Sequence, residues 1–247
     1  MSASELTLSP ALLRDIIGWD VQNWQTAIEL WEARLPRRLA GWRGLELGAG
    51  RGGLSLYLGL KGASMLCSDH AVPTATARSL HAQYGLQPEY LALDACAPLP
   101  FAAASLDLVC FKSVLGGLRK GRSTDPKPGL IAEIERVLRP GGWLLLAENL
   151  QGMWLHRQLR RRFVIWSKGW EYLGLDDLLK LLAGFELDYR TTGLLALLGR
   201  NEAQRRCLGQ IDRQLAPYLP SDWHYMCAVA AQKPPVQSLA PEYIASS

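Results

Sequence analysis

The chain has 247 residues, of which 49% are hydrophobic, and a formal net charge of +4 at pH 7. This size and composition predict one α/β domain, or one domain with a small cap, and the mild charge gives no reason to expect nucleic acid. Since the sequence lacks a signal peptide, an apolar run of ~20 residues and metal-type cysteine spacing, we expect a cytoplasmic protein without a transmembrane segment or metal site.

Two helices are predicted before the first strand. Ser9, which precedes a proline, is typical of a helix start. Asp20 is predicted to cap a second helix that carries Trp24 and Trp31 at helical spacing. We expect residues 1–41 to form a helical lid over a ligand, with Trp24 as a candidate substrate contact. The alternative is a helical layer packed on the edge of the sheet.

The stretch from Gly44 to Gly53 changes from an apolar strand into a helix through closely spaced glycines. Such glycines adopt backbone angles closed to other residues and let a ligand lie against bare main chain. The following helix start offers unpaired N–H groups and a partial positive charge. We therefore predict a nucleotide-type ligand loop at the carboxyl end of the first strand of a doubly wound sheet.

Two ligand classes compete for this loop. Gly48, Gly50 and Gly53 satisfy the G-x-G-x-x-G pattern of dinucleotide enzymes. Glu46, however, lies inside the strand, where dinucleotide loops usually carry an apolar residue. With Glu46, Gly48, Gly50 and Gly52, the stretch resembles the first motif of class I S-adenosylmethionine-dependent methyltransferases, acidic-x-Gly-x-Gly-x-Gly. The resemblance implies an α/β fold with a doubly wound, mostly parallel seven-stranded sheet, helices on both faces, and S-adenosyl-L-methionine as cofactor.

Acidic residues follow at the ends of the next two predicted strands. Asp69, beside His70, lies about twenty residues past the glycines, where a carboxylate can accept bonds from both ribose hydroxyls. In the methyltransferases that the chain resembles, an acid at the place of Asp94 accepts the adenine amino group, and Ala95 can supply an N–H to the ring. Together with Glu46, these acids favour S-adenosylmethionine over a dinucleotide.

The fourth predicted strand ends at Lys112, where methyltransferases of this class distinguish their substrates. The (Asp/Asn)-Pro-Pro-(Tyr/Phe) and Asp-x-x-Tyr patterns of base and protein-lysine methyltransferases are absent from the sequence here. Lys112 is predicted to contact the cofactor or an acidic acceptor, with extension into solvent as the alternative. The predicted cofactor contacts are Glu46, Gly48, Ala49, Gly50, Gly52, Asp69, His70, Asp94, Ala95 and Lys112.

A fifth strand, beginning at Trp143, delivers Glu148 and Asn149 to the same edge of the sheet. Glu148 is a candidate catalytic base and Asn149 a candidate acceptor contact. The helix that follows is amphipathic and basic, and it supplies His156 as a second candidate base and Arg161 as a candidate contact for an anionic acceptor. A solvated helix face and weak contact with a membrane surface are the alternatives for this helix.

Residues 42–233 are predicted to form the methyltransferase domain, with helical insertions near 150–180 and 194–219 and a mobile tail over 234–247. The sequence resembles the small-molecule and glycan-type branch of the superfamily. That resemblance implies in-line O-methylation of a small polar molecule, sugar or glycan, with no nucleic acid as partner. A non-catalytic cofactor-binding module and an NAD-type oxidoreductase stay open as alternatives, and the pattern does not fix the oligomeric state.

Overall fold

The computed structural model of the chain describes residues 6–118, 121, 123–163 and 170–235, without the side chains of 159–163. The strands are β1 (Arg43–Leu47), β2 (Ser64–Asp69), β3 (Glu89–Ala92), β4 (Leu106–Lys112), β5 (Leu138–Asn149), β6 (Glu186–Thr192) and β7 (Met226–Gln232). The helices are α1 (Pro10–Ile17), α2 (Val21–Arg34), α3 (Gly53–Leu60), α4 (Ala75–Gln83), α5 (Lys127–Val137), α6 (Trp154–Phe163), α7 (Leu175–Leu181) and α8 (Glu202–Leu215). Of the predicted tail, residues 236–247 lie outside the described residues. Among the helices of the described ranges, none is long and apolar enough to cross a membrane.

The strands form one sheet in the order β3-β2-β1-β4-β5-β7-β6. Strands β3, β2, β1, β4 and β5 run parallel, whereas β7 is antiparallel to both of its neighbours. The predicted doubly wound, mostly parallel seven-stranded sheet is confirmed. Because the chain order reverses between β1 and β4, these two strands mark the switch point at which doubly wound proteins bind ligands.

The register of the parallel strands determines which predicted residues share an edge. Leu47 pairs with Phe111, Asp69 with Ala92, and Lys112 with Ala147. The carboxyl ends of β1, β2, β4 and β5 therefore lie along one edge of the sheet.

Two hydrophobic layers cover the sheet, and the alternation along β4 shows how they are divided. Leu108 and Cys110 pack into the layer that contains residues of α1, α2 and α3, whereas Val109 and Phe111 pack into the layer of α5 and α7. Helix α2 belongs to the first layer, since Trp31 is fully buried and its Nε1 donates to the carbonyl of Val229 at 2.9 Å. At the end of α1, the carbonyl of Ile17 accepts a hydrogen bond from Lys112 at the end of β4.

The two predicted helix caps have different outcomes. Ser9 caps α1, because its Oγ accepts a bond from the N–H of Leu12 at 3.2 Å. Asp20 precedes α2 but has left-handed backbone angles, φ 48° and ψ 47°, and its carboxylate accepts no bond from the first N–H groups of that helix, all of which are described. The predicted side-chain cap is wrong because this carboxylate is bonded to Tyr225 and Asn23 instead.

Candidate active site

The glycine loop packs against the segment after β4 at Gly48 and is open at Gly50. Gly48 and Gly50 have φ values of +61° and +53°, a region that residues with a Cβ rarely adopt. A Cβ at Gly48 would lie 2.7 Å from Cγ2 of Val114, so this glycine lets the loop contact the segment after β4. A Cβ at Gly50 would have no heavy atom of the described residues within 4 Å. The open space at Gly50 is therefore where a ligand can approach the main chain.

Glu46 lies beneath this loop. Its side chain is buried, and its carboxylate accepts bonds from the N–H groups of Leu54 at 3.2 Å and Ser55 at 2.7 Å, in the first turn of α3. Burial raises the pKa of Glu46 to about 7, although the bonds from Ser55 and Leu54 oppose the shift. The acid of the motif thus satisfies donors that a helix start leaves unpaired. Its predicted contact with the cofactor stays a prediction.

Asp69 connects the end of β2 to the glycine loop. Its half-buried carboxylate accepts bonds from the N–H of Gly50 at 2.8 Å and from the N–H of His70 at 2.7 Å, and His70 is exposed. Beside it, the N–H of Ala49 donates to the carbonyl of Ser68 at 2.8 Å. Since an ionised carboxylate can accept about four bonds, Asp69 keeps acceptor sites for ribose hydroxyls.

The end of β3 is hydrogen-bonded to the end of β2, at the edge of the sheet that carries the glycine loop. The N–H of Leu93 donates to the carbonyl of Asp69 at 2.7 Å, and the half-buried carboxylate of Asp94 accepts from the N–H of Cys96 at 2.8 Å. Ala95, between them, is half-buried. The structure therefore brings Gly50, Asp69 and Asp94 to neighbouring strand ends. Two half-exposed carboxylates beside an open glycine turn fit the ribose, base and amino-acid parts of S-adenosylmethionine.

Lys112 points from the end of β4 toward the N-terminal helices. Its Nζ donates to the carbonyl of Ile17 and lies 4.5 Å from the ring centroid of Trp24 and 5.5 Å from that of Trp19. Burial lowers the pKa of Lys112 to about 8, while the nearby Asp20 carboxylate raises it. Lys112 thus holds the turn between α1 and α2 over the end of β4. Trp24 is 1% exposed, so its predicted contact with a substrate stays a prediction.

Glu148 and Asn149 hold the segment that follows β4. The fully buried carboxylate of Glu148 accepts bonds from the N–H groups of Val114 at 2.6 Å and Leu115 at 2.8 Å, and burial raises its pKa to about 7. The amide of Asn149 donates to Oγ of Ser113 at 2.9 Å. Because the Glu148 carboxylate is directed at backbone, the geometry favours a positioning role, and a catalytic role stays a prediction.

Ser113 is a candidate functional residue that the sequence did not single out. It has a φ of +54°, which is uncommon for a residue other than glycine and is found preferentially at functional positions. Its hydroxyl is held by Asn149 at the end of the strand that delivers Lys112. The sequence offered the strand end as a signal but could not reveal the backbone angle.

A buried polar cluster lies behind Lys112. Nδ2 of Asn23 lies 3.1 Å from Oδ1 of Asp20, 3.2 Å from Oδ2 of Asp212 and 2.9 Å from the hydroxyl of Tyr225. Tyr225 donates in turn to Asp20 at 2.6 Å, and each of these side chains is at most 1% exposed. Burial raises the pKa of Asp20 to about 7, against the effect of the bonds from Tyr225 and Asn23. We call these four residues the Asn23 cluster; it joins α2 and α8 to the start of β7.

The other predicted catalytic and acceptor residues lie on α6. His156 is 2% exposed, its Nε2 lies 2.7 Å from the carbonyl oxygen of Leu194, and its ring meets that of Tyr225 edge-on with centroids 5.6 Å apart. These contacts attach α6 to the segment after β6, and a catalytic role for His156 stays a prediction. Arg161 belongs to α6, but its side chain lies outside the described part of the structure.

A cavity of about 420 Å³ opens beyond the end of β5. A bond of 3.1 Å from the N–H of Met153 to the carbonyl of Trp223 joins its two sides. Since β5 lies two strands from β1, roughly 10 Å separate this end of the sheet from the glycine loop. The lining residues are Leu150, Gln151, Gly152, Met153, Trp154, Arg157, Gly174, Leu175, Asp222 and Trp223.

Comparison with known proteins supports the fold and the donor. Residues 45–146 match the family model of a methyltransferase domain. A SAM-dependent methyltransferase from Methanosarcina mazei is 21% identical, with a TM-score of 0.60 and coverage of 83% of this chain and 97% of that chain. No curated protein matches the sequence.

Two further solved structures share the fold but differ in what their names say they do. A phosphoethanolamine N-methyltransferase of Haemonchus contortus, in complex with phosphomonomethylethanolamine and S-adenosylhomocysteine, is 17% identical with a TM-score of 0.59; the match covers 91% of this chain and 56% of that chain. The [4+2]-cyclase SpnF is 21% identical with a TM-score of 0.55, and the match covers 91% and 92% of the two chains. The fold therefore does not identify the acceptor.

Proposed function

We propose that the chain is an S-adenosylmethionine-dependent methyltransferase that O-methylates a small polar molecule or sugar bound in the cavity beyond β5. S-adenosylmethionine, when bound, supplies an activated methyl group. The task of the protein is then to align an acceptor oxygen with that group, and aligned groups reach effective molarities of about 10⁵ M or more.

The donor would be held by the edge formed by β1, β2 and β3. The open main chain at Gly50 would accommodate its amino-acid part, and the carboxylate of Asp69 would accept bonds from ribose hydroxyls. Asp94, at the next strand end, would accept a bond from the base. Both carboxylates are partly exposed and so remain accessible to a ligand.

The observation that carries the acceptor class is the lining of the cavity. Trp154 and Trp223 supply flat apolar faces, whereas Gln151, Arg157 and Asp222 supply donors and acceptors. A sugar presents apolar C–H faces and several hydroxyl groups, so this mixture suits it better than a uniformly apolar lining would. The volume of about 420 Å³ falls within the range of roughly 300–1,000 Å³ that is usual for small-molecule sites.

The segment after β4 would align the acceptor between the cavity and the glycine loop. It touches the loop at Gly48 and is fastened to β5 through Glu148 and Asn149. The start of the segment, from Ser113 to Leu115, is thereby fixed next to the glycine loop. Rigid placement of this kind is what proximity catalysis requires.

The test is release of S-adenosylhomocysteine with methyl-labelled S-adenosylmethionine and a panel of sugars, sugar phosphates, polyols, phenols and small amines. We expect transfer to an oxygen acceptor, and we expect Trp223→Ala to raise its KM at least tenfold without changing the affinity for S-adenosylhomocysteine. Trp42→Ala, at the opposite edge of the sheet, is the matched control. Transfer only to amines would contradict O-methylation and would instead support N-methylation, the reaction in the name of the Haemonchus contortus protein.

The same preparation separates the two alternatives. A rise in melting temperature with S-adenosylhomocysteine and none with NAD would exclude the oxidoreductase. Donor binding without turnover across the whole panel would instead support a non-catalytic module.

A further inference from the structure

We propose that the surface around the start of α6 docks on an anionic lipid surface. The surface consists of Trp154, Leu155 and Trp223, which are 63%, 42% and 41% exposed, together with the exposed Arg157. We call these four residues the α6 patch. Large apolar side chains grouped at a protein surface mark an interaction site more often than isolated ones do.

The members of the α6 patch are neighbours in space. Trp154, Arg157 and Trp223 line the same cavity, and the bond from the N–H of Met153 to the carbonyl of Trp223 fixes the two segments against each other. Leu155 follows Trp154 on α6 and lies outside the cavity lining. The two tryptophans therefore lie at the opening of the same cavity and not on different surfaces of the protein.

Charge indicates what covers this patch. From Trp154 to Phe163, the sequence of α6 contains four arginines and no acidic residue. An amphipathic helix that combines tryptophan and leucine with arginine is typical of helices that lie in a lipid headgroup region. Arginine attracts anionic headgroups, and exposed indoles partition to the interface between water and hydrocarbon. Asp222, also exposed at the cavity, opposes this attraction with a single carboxylate.

A second copy of the chain fits the patch less well. A two-fold contact would place the same surface of both copies face to face. The arginine-rich α6 would then lie against another α6, and like charges at short distance disfavour that contact. An anionic lipid surface supplies the complementary charge without this repulsion.

Docking has a consequence for the reaction, and this consequence alone rests on the proposed function. The cavity assigned to the acceptor opens among the patch residues. A docked enzyme would therefore present its acceptor site to groups that project from a membrane. Binding to lipid can be measured without any acceptor. The docking proposal can therefore be supported or overturned independently of the proposed methyl transfer.

The experiment is flotation of the full chain with vesicles of phosphatidylcholine, either alone or mixed with phosphatidylglycerol. We expect binding to the mixed vesicles at low salt and release at high salt, because screening weakens attraction between exposed charges. Leu155→Asp and Trp154→Ala should each weaken binding about tenfold or more. Tyr189→Ala removes an aromatic residue that is 39% exposed on β6 and should leave binding unchanged.

Thermal melting verifies that each variant is folded before its flotation is interpreted. The proposal is overturned if the wild-type chain does not float with the mixed vesicles, or if Leu155→Asp floats as well as the wild type. It is also overturned if light scattering shows a dimer that Leu155→Asp dissociates, since a second copy would then cover the patch.

Discussion

The strand ends that carry Gly50, Asp69 and Asp94, which we propose hold the donor and call the donor edge, use their polar groups differently from the Asn23 cluster. At the donor edge, Asp69 bonds the main chain of Gly50, 19 positions away, and its carboxylate remains partly exposed. In the Asn23 cluster, Asp20 bonds Tyr225 across 205 positions, and both side chains are at most 1% exposed. The first arrangement leaves acceptors for a ligand, whereas the second pairs its polar groups within the protein. Substitutions at the donor edge should therefore change binding, and substitutions in the cluster should change stability.

The largest effect is expected at the centre of the Asn23 cluster. Asn23→Ala removes the amide that contacts Asp20, Asp212 and Tyr225, so it leaves buried carboxylates without that donor. We expect the free energy of unfolding to fall by about 3 kcal/mol, measured by urea denaturation. Gln25→Ala on the same helix breaks only a partly buried bond to Glu29. It should change the free energy of unfolding by about 0.5 kcal/mol or less. If the two variants lose equal free energy of unfolding, the Asn23 cluster does not contribute more to stability than a partly buried bond on the same helix.

At the donor edge, Gly50→Val should weaken binding of S-adenosylhomocysteine more than about 100-fold, measured by calorimetry. The new side chain would fill the space over the loop, and valine tolerates a φ of +53° poorly. Gly85→Val is the matched control, because Gly85 has a φ of +70° and open space of the same kind at the end of α4. Both variants should be destabilised similarly, but only Gly50→Val should lose the ligand. Loss of binding in both would show that backbone strain alone is responsible.

A smaller loss of affinity is expected for Asp69→Asn. The amide keeps one acceptor for the Gly50 N–H but removes the charge that strengthens bonds from ribose hydroxyls, so binding should weaken about 10-fold to 100-fold. Asp107→Asn is a suitable control, since its carboxylate also accepts a backbone N–H, from Arg43, but at the opposite edge of the sheet. If Asp69→Asn binds S-adenosylhomocysteine like the wild type, Asp69 does not contact the donor.

The same comparison explains how much the sequence could predict. The strand ends that carry Glu46, Asp69 and Asp94 were placed from short spacings, because strand, turn and helix signals are local. The sequence pattern identified Glu46, but its bonds to α3 became visible only with the helix start in place. Asp20 was predicted to be a cap because its neighbours along the chain suggested one.

What the sequence missed depends on contacts between distant segments. The carbonyl that Lys112 bonds belongs to Ile17, 95 positions earlier, and no local pattern links the two. Asp20 turns away from α2 because Tyr225 offers it a buried donor. The positive φ of Ser113 follows from its attachment to β5 through Asn149 and the carbonyl of Ala147. Such features arise when the chain folds and are not encoded in neighbouring residues.

The last expected effect concerns the pH dependence of stability. Burial raises the pKa of Asp20 from 3.8 to about 7 in the folded chain. Between about pH 4 and pH 7 the folded state therefore holds a proton that the unfolded state has released. The free energy of unfolding must then fall as the pH rises through this range, by at most about 1.4 kcal/mol per pH unit for one group, and the slope from Asp20 must vanish above pH 7.

Asp20→Asn cannot titrate, so it should remove this share of the slope when urea denaturation is repeated between pH 5 and pH 8. Part of the slope should persist, because burial also raises the pKa values of Glu46 and Glu148 to about 7. Parallel curves for Asp20→Asn and the wild type would mean that Asp20 is ionised in the folded chain. The Asn23 cluster would then stabilise a buried charge, and its two carboxylates would depend on the Asn23 amide even more strongly.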